Sequence, residues 1–533
     1  MPPVEANPVD EYVFNNRYVV THQNRELLIA GRLLYKFRPR EFYKTVFGPI
    51  FYHTGVVYEN SSVNLQYALR RLTGCRGGLD EENMLFNNNM HVLDVFPSYV
   101  AFIDRLKVAF NHAICGLDML QNVKDYVEAP HPKRMLRMNA YSYLEERGLL
   151  EFPSKWGKKP KAFVKTYEFA KAGKRPRCVV DYSPEGSLVM GSVIDTLKNV
   201  MNTVVDQEDF RIGRFRVRFI KQPSLEALST VFRDVIQGAD DVIYYHSDDV
   251  IGAFNDNGER KCFEMDISSC DASNSPQMFE ILRSILQHPA LLGHGDALID
   301  QASRKINLVD PWTKHRFLSI QPRHAIEGSG IKCTTVINNL AVCAIAAGID
   351  FVLEAGIGGV LALTEGAWFA GYKVTCDMWD RFQRLTFLKH NPVLNEAGEI
   401  VPILNLGVAL RTMGQCDWDL PGRGCIRQRA FNFNSGLVRG MCHMGDHSFH
   451  DSLKKKWHAN VDPVILRERV SNSTVWGRVP DGQVAARYGL SVSEYHSLLD
   501  GIDNTSFTEV FNNQAVSAIL ETDYALGRIV GGR

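Results

Sequence analysis

The middle of the chain is organised by short alternations of apolar and polar positions. DDVIYYHSDDVIGAF reads as two β-rich runs around a polar turn, NDNGER as a second turn, and KCFEMDI as a further strand. SPQMFEILRSILQ switches to helical spacing, with Ser275 suited to the N-cap and Pro276 to the first helical position. Apolar residues from Ile331 to Ala347 predict another helix, with Gly348 as its stop. The most apolar long stretch, Ala341 to Leu363, is broken by Asp350 and Glu354, which favours a buried helix plus a strand over a membrane span. RELLIAGRLLYKF and YVAFIDRLKVAFNHAI have helical rhythm, and the chain beyond Pro402 is mixed, with helices towards its end. VAARYGLSVSEYHSLL reads as two helices turning at Gly489, a corner that packing alone explains. There is no internal repeat and no low-complexity tract.

Length and composition change this picture little. The 533 residues suit two to four domains or one large enzyme of several subdomains, and 45% hydrophobic with 23% charged residues is ordinary for a folded protein. Lys+Arg and Asp+Glu both number 60, so global charge predicts no nucleic-acid partner, and only local clustering can. Such a cluster exists. Lys133, Arg134 and Arg137 come first, followed by Lys155, Lys158, Lys159, Lys161, Lys165, Lys171, Lys174, Arg175 and Arg177. The 11 cysteines form no CxxC pair, which predicts reduced thiols, and the N-terminus MPPVEANPVDEYVF lacks the pattern of a signal peptide. The expectation is a soluble, intracellular protein without a transmembrane segment.

Candidate chemistry lies in three close segments. Asp248 and Asp249 occupy the turn YHSDDVIG, and Asp266 and Asp271 stand in FEMDISSCDAS. Carboxylates converging from rigid strands are what paired Mg²⁺ ions, about 3.5–4 Å apart, require in phosphoryl transfer. A strand–turn–strand projects Asp248 from its apex, and Asp266 lies near the end of the next strand, so pairing of those strands would bring the acids to one sheet edge. The third segment, EGSGIKCTTVINN, holds Ser329-Gly330, Thr334 and Asn338, the last two sharing one helix face. Gly328 and Gly330 suit a flexible loop beside a ligand, and Asn338 with Asp271 suits recognition of a ribose 2′-OH, which both donates and accepts. Alone, each segment has a plain structural explanation: a solvated turn, a common spacing, a glycine loop entering a buried helix.

Together, these segments resemble motifs A (FEMDISSCDAS), B (GSGIKCTTVINN) and C (YHSDDV) of the palm of viral RNA-dependent RNA polymerases. Motif C precedes A here, whereas in most of the family it follows B. The C-A-B order resembles the permuted polymerases of permutotetraviruses and birnaviruses, although Ser-Asp-Asp departs from the Ala-Asp-Asn typical of birnaviruses. FVKTYEFAKAGKRPRCVVD resembles motif F, with Lys165, Lys174, Arg175 and Arg177 as nucleotide-binding cations. GYKVTCDMW resembles motif D, with Lys373 as general acid, and LTFLKH motif E.

The resemblance implies an α+β right-hand fold. Residues 1–129 would be an N-terminal extension and part of the fingers, 130–240 fingers with motif F, and 241–275 palm with motifs C and A. Residues 276–325 would be a fingers insertion, 326–400 palm with motifs B, D and E, and 401–533 thumb and tail. Asp248, Asp249 and Asp266 would hold Mg²⁺, with Mn²⁺ as an alternative, and Asp271, Ser329, Gly330, Thr334 and Asn338 would select ribose and position template. Implied partners are RNA template and product, nucleoside triphosphates, and viral replication or capsid proteins. The implied location is the host cytoplasm, in virions or replication complexes. The rivals are a reverse transcriptase or other palm nucleotidyltransferase, which the Asp271 and Asn338 pairing disfavours, and a non-catalytic RNA-binding scaffold. Cys442, His443, His447 and His450 in CHMGDHSFH match no common zinc spacing, which points to surface histidines.

Overall fold

The polar turn forms where the alternation predicts it. Val242–His246 and Asp249–Asp256 pair antiparallel from His246↔Asp249, and Glu259–Ile267 pairs back on the second strand through the turn at Asn257 and Gly258. This computed structural model describes residues 13–14, 18–22, 42–44, 50–51, 55–56, 60–61, 64–65, 68, 96–165, 170–171, 176–221, 223–268, 270–274, 276–310, 316–322, 325–412, 415–417, 422–440, 444–458, 461–467, 476–505, 510–511 and 513–524. The architecture is mixed α+β.

Two more strands complete a five-stranded sheet. Val374–Met378 joins Glu259–Ile267 antiparallel, and Arg216–Phe219 joins Val242–His246 parallel. Both faces are covered, which is why VIYY reads as a continuous apolar run. Ile243, Tyr245, Val250, Phe263 and Met265 enter the large core shared with helices Pro97–Ile114, Ser183–Val205 and Thr334–Glu354. On the other face Val242, Tyr244, Ile251 and Ala253 meet Leu228, Val231, Phe232 and Val235 of helix Leu225–Gln237. That helix is capped by Ser224, whose hydroxyl accepts from the Ala227 N–H.

Gly348 does not stop its helix. Thr334–Glu354 runs through it, and a Cβ at Gly348 would strike the Gly366 carbonyl of the next helix, Gly359–Phe369. The glycine is there for close packing between two helices rather than for termination. This also corrects the expected strand: the apolar stretch makes two helices. Thr334–Glu354 has the length and hydropathy of a membrane span, but 89% of its most apolar window is buried inside the protein.

A six-stranded sheet runs in the order Val13–Phe14, Tyr18–His22, Arg316–Pro322, Ile306–Val309, Lys161–Val164, Cys178–Asp181. After residue 390 the hairpin His390–Leu394/Ile400–Leu404 and helices including Ser448–Trp457, Asp481–Arg487, Val492–Asn504 and Gln514–Tyr524 build a second core around Phe449, Trp457, Tyr495 and Ile519. The expected corner at Gly489 forms, with φ +64 at the glycine and a capping box of Ser491 and Glu494 opening the second helix. His447 and His450 are buried rather than on the surface. Each ring is hydrogen-bonded to a backbone carbonyl, of Met444 and Gly445 respectively, both at 2.7 Å. Cys442 and His443 lie outside the described residues.

Candidate active site

Strand register builds the acidic centre. The two-residue turn Ser247-Asp248 sets His246 opposite Asp249, and the next ladder sets Asp249 opposite Asp266, and Asp266 opposite Thr375. Directly opposed residues have Cβ atoms about 4.5–5.5 Å apart on one face of the sheet. Asp249 and Asp266 therefore face the same way, and Asp248 stands at the apex beside them. Lys373 adjoins the same end of the sheet: its carbonyl accepts from the Ser268 N–H at 2.8 Å, just beyond the Ile267↔Val374 pair.

The turn holds a backbone irregularity. Ser247 has φ +59, in the left-handed region that glycine occupies without strain. Ser247→Gly should therefore keep the hairpin and raise the stability by up to about 1 kcal/mol after glycine's extra freedom in the unfolded chain is subtracted, seen as a higher denaturation midpoint. A lower midpoint would mean that the serine hydroxyl, not the backbone, sets the turn.

The acids perturb one another. Partial desolvation, then Asp248, then Asp266 push the Asp249 carboxyl up, against the pull of Lys389 and His246, to about 6. Asp271 is also raised, first by burial and then by Asp248, while Arg177 and hydrogen bonds from Ser329 and Asn338 oppose the rise. One locality thus gathers Asp248, Asp249, Asp266, Asp271, Arg177, Ser329 and Asn338.

The loop 328–333 reaches this locality by hanging on the other sheet. The Ser329 carbonyl accepts from the Val180 N–H at 2.7 Å, and Gly330, at φ +111, passes so close that a Cβ would lie 2.8 Å from the Val180 carbonyl oxygen. Its glycines serve close approach to strand Cys178–Asp181 rather than looseness. Thr334 turns its hydroxyl back onto the Ile331 carbonyl at 2.9 Å, at the start of the helix that carries Asn338. On the same strand pair, Lys165 donates its backbone N–H to the Arg177 carbonyl at 2.8 Å, so both stand at the open end of the ladder Lys161–Val164/Cys178–Asp181. Lys174 and Arg175 lie outside the described residues.

Several neighbours carried weak signals or none. Lys389 lies within LTFLKH in a tight turn, Phe387↔His390, with positive φ at both Leu388 and Lys389, and its ammonium acts on Asp249. Lys332, within the glycine loop, acts on His131 together with Arg137 and Lys133, and Asp195 opposes them. The cationic segment thus continues onto the loop beside the acids. Glu327, Asn274 and Tyr372 form a buried polar group behind Asn338. Asn274 directly follows FEMDISSCDAS and Glu327 directly precedes GSGIKCTTVINN, and only their partners reveal what they do.

The donor set fits a hard divalent cation: carboxylate oxygens crowded enough that one of them retains its proton to about pH 6. Among the described residues no group of three His, Cys, Asp or Glu side chains is placed to hold a metal ion. Mg²⁺ does not need such a group, because it is commonly held by one or two carboxylates plus water and substrate phosphates.

No protein-family model matches the chain, and a search of characterised proteins finds no match. Solved structures do match. One is the birnavirus VP1–VP3 complex, at 11% identity and TM-score 0.38, over 76% of this chain and 54% of that one. Another is the RNA polymerase VP1 of Infectious Pancreatic Necrosis Virus, at 13% identity and TM-score 0.40, over 75% and 54%. The chain spans about half the length of these structures.

Proposed function

We propose that this chain is a viral RNA-dependent RNA polymerase with its palm motifs in C-A-B order, performing templated two-metal nucleotidyl transfer. The observation that carries the reading is the register: Asp249 opposite Asp266, Asp248 at the apex, and Asp271 bonded to Asn338 and Ser329 beside them. The five-stranded sheet is read as the palm, the basic segment with the six-stranded sheet as fingers, and the C-terminal helices as thumb. RNA and nucleoside triphosphates are the proposed partners, with other viral proteins joining them, and the host cytoplasm is the proposed location.

In this reading bound Mg²⁺ supplies charge neutralisation at the attacking and leaving oxygens. Asp248 and Asp266 hold the cations, with Asp249 assisting. Lys165 and Arg177, with Lys174 and Arg175, grip the triphosphate. Lys373 donates a proton to the leaving pyrophosphate. Asp271 and Asn338 test for the 2′-OH. The Lys332, Lys133 and Arg137 cluster offers phosphate contacts along the approach to the glycine loop.

Purified protein given template RNA and Mg²⁺ should incorporate ribonucleotides in preference to deoxyribonucleotides. Salt-dependent RNA binding without any divalent-dependent synthesis would instead support a scaffold.

Cation binding should also depend on pH in a defined direction. The Asp249 carboxyl lies above its ordinary value, so the folded protein binds this proton more tightly than the unfolded chain does. Its stabilising contribution is therefore present at low pH and lost as pH rises through about 6. Divalent cations bind the deprotonated form. The rise in melting temperature caused by Mg²⁺ or Mn²⁺ should be smaller near about pH 5 than above about pH 7, because Asp249 then assists Asp248 and Asp266. An equal rise at both would contradict Asp249 as a cation neighbour.

A further inference from the structure

Behind the proposed sugar-reading pair lies a chain of buried polar groups. The Tyr372 hydroxyl donates to Asn274 Oδ1 at 2.7 Å. Asn274 Nδ2 donates to Glu327 Oε2 at 2.5 Å and to Asn338 Oδ1 at 3.1 Å. Cys270 Sγ approaches the same Asn338 oxygen at 3.2 Å. Tyr372, Glu327, Asn338, Asn274 and Cys270 are at most 4% exposed, so water does not satisfy these groups. Four separate stretches of chain meet here: the helical turn Cys270–Ser273 with Asn274, the glycine loop, helix Thr334–Glu354, and the segment leading into strand Val374–Met378.

An amide side chain has an accepting end and a donating end, and its neighbours decide which way it points. Asn274 turns its oxygen to the tyrosine hydroxyl and its nitrogen to the two oxygens of Glu327 and Asn338. Asn338 in turn has its oxygen occupied by Asn274 and Cys270, which leaves its NH₂ end for Asp271. Turning both amides over would set the Asn338 oxygen against the Asp271 carboxylate, and turning either alone would set oxygen against oxygen or nitrogen against nitrogen between them. Burial, and then Asp271, push the Glu327 carboxyl well above the usual range, while hydrogen bonds from Asn274 and Thr334 oppose the rise.

We propose that Tyr372, Asn274 and Glu327 are positioning residues that lock the Asn338 amide with its NH₂ end towards the site, so that ribose meets one fixed donor and one fixed acceptor. The inference rests on the polymerase reading. Asn338 would donate to the 2′ oxygen and Asp271 would accept the hydroxyl proton, a match that 2′-deoxyribose cannot make. Without the lock the amide is free to rotate, and the donor is shared among orientations. Discrimination then falls while chemistry at the acidic turn continues.

The test compares kcat/KM for a ribonucleotide and its 2′-deoxy counterpart on one template, alongside the melting temperature. Tyr372→Phe removes only the hydroxyl, and Glu327→Leu removes the acceptor. Each should lower the ribo-to-deoxy ratio by about 3- to 10-fold, the worth of one net hydrogen bond, with the loss falling mainly on the ribonucleotide KM. Glu327→Gln, nearly isosteric and keeping an acceptor oxygen for the Asn274 NH₂, should keep the wild-type ratio. A wild-type ratio in folded Tyr372→Phe overturns the inference, and so does a Gln variant that falls as far as the Leu variant. If Glu327→Leu does not fold, Tyr372→Phe and Glu327→Gln decide between them. A wild-type protein that does not synthesise RNA at all removes the polymerase reading itself, and this inference with it.

Discussion

Replacing Asp248 or Asp266 by alanine will reduce templated nucleotide incorporation by about a thousandfold or more and leave RNA affinity nearly unchanged. The loss is large because side chains do little covalent work in phosphoryl transfer, and cation placement supplies most of the rate. Removing a carboxylate from the turn or from the facing strand would withdraw a proposed cation ligand that no neighbour replaces in the same direction. Asp249 lies on the same face but beside Lys389, and its carboxyl already keeps a proton to about pH 6. Its alanine variant should therefore lose less than either of the others. The fold should tolerate all three changes, since the register is carried by backbone pairing and by Val250, Phe263 and Met265 beneath it. In the polymerase reading RNA affinity would come mainly from phosphate contacts made elsewhere, so filter binding at fixed salt should not move much. Elongation at the wild-type rate by either purified variant would refute the assignment.

Asp523→Ala will cost about 3–5 kcal/mol of stability, because it strands a buried guanidinium. Arg487 and Asp523 pair at 3.0 Å with side chains only 2% and 1% exposed. Arg487 also donates to the carbonyls of Gln383, Arg384 and Leu385, and to the Thr386 hydroxyl at 2.5 Å. Asp523 further accepts from the Gly407 N–H at 2.8 Å and the Tyr488 hydroxyl at 3.1 Å. The pair thus fastens helix Gln514–Tyr524 to the segment that leads into the Lys389 turn. That segment is tied to the acidic centre as well, since the Thr386 N–H donates to the Glu264 carboxylate two residues before Asp266. Denaturation should show the loss directly, and limited proteolysis should release the C-terminal helix early. Replacing both partners together by apolar residues, Arg487→Met with Asp523→Leu, should remove the stranded charge but restore only part of the stability, because the carbonyls of Gln383, Arg384 and Leu385 and the Gly407 N–H lose their partners. A single variant within about 1 kcal/mol of wild type would show that water or an anion relieves the stranded charge.

What could be read from the residues follows a simple division. The hairpin around Ser247 and Asp248, and the return strand with Asp266, are joined by short polar turns, so local alternation sets both strand and register, and the Asp249↔Asp266 pairing could be anticipated. The helix expected from Pro276 begins there as well, while its expected N-cap, Ser275, lies outside the described residues. Gly348 was misread because a glycine in a helical pattern looks like a stop until the second helix pressing on it is known. His447 and His450 were assigned to the surface for a similar reason: nothing nearby in sequence reveals that carbonyls of Met444 and Gly445 wait for their rings.

By itself the sequence determined the acidic turn, its partner strand and the glycine-led segment as chemical candidates, since spacing within a strand or helix is a property of neighbours. Tertiary structure alone decided that Asp271 meets Asn338 and Arg177, that Glu327 and Tyr372 close on Asn274, and that Arg487 finds Asp523. Contacts across such separations arise from how whole elements pack, and the burial that gives each its strength exists only once the chain has folded.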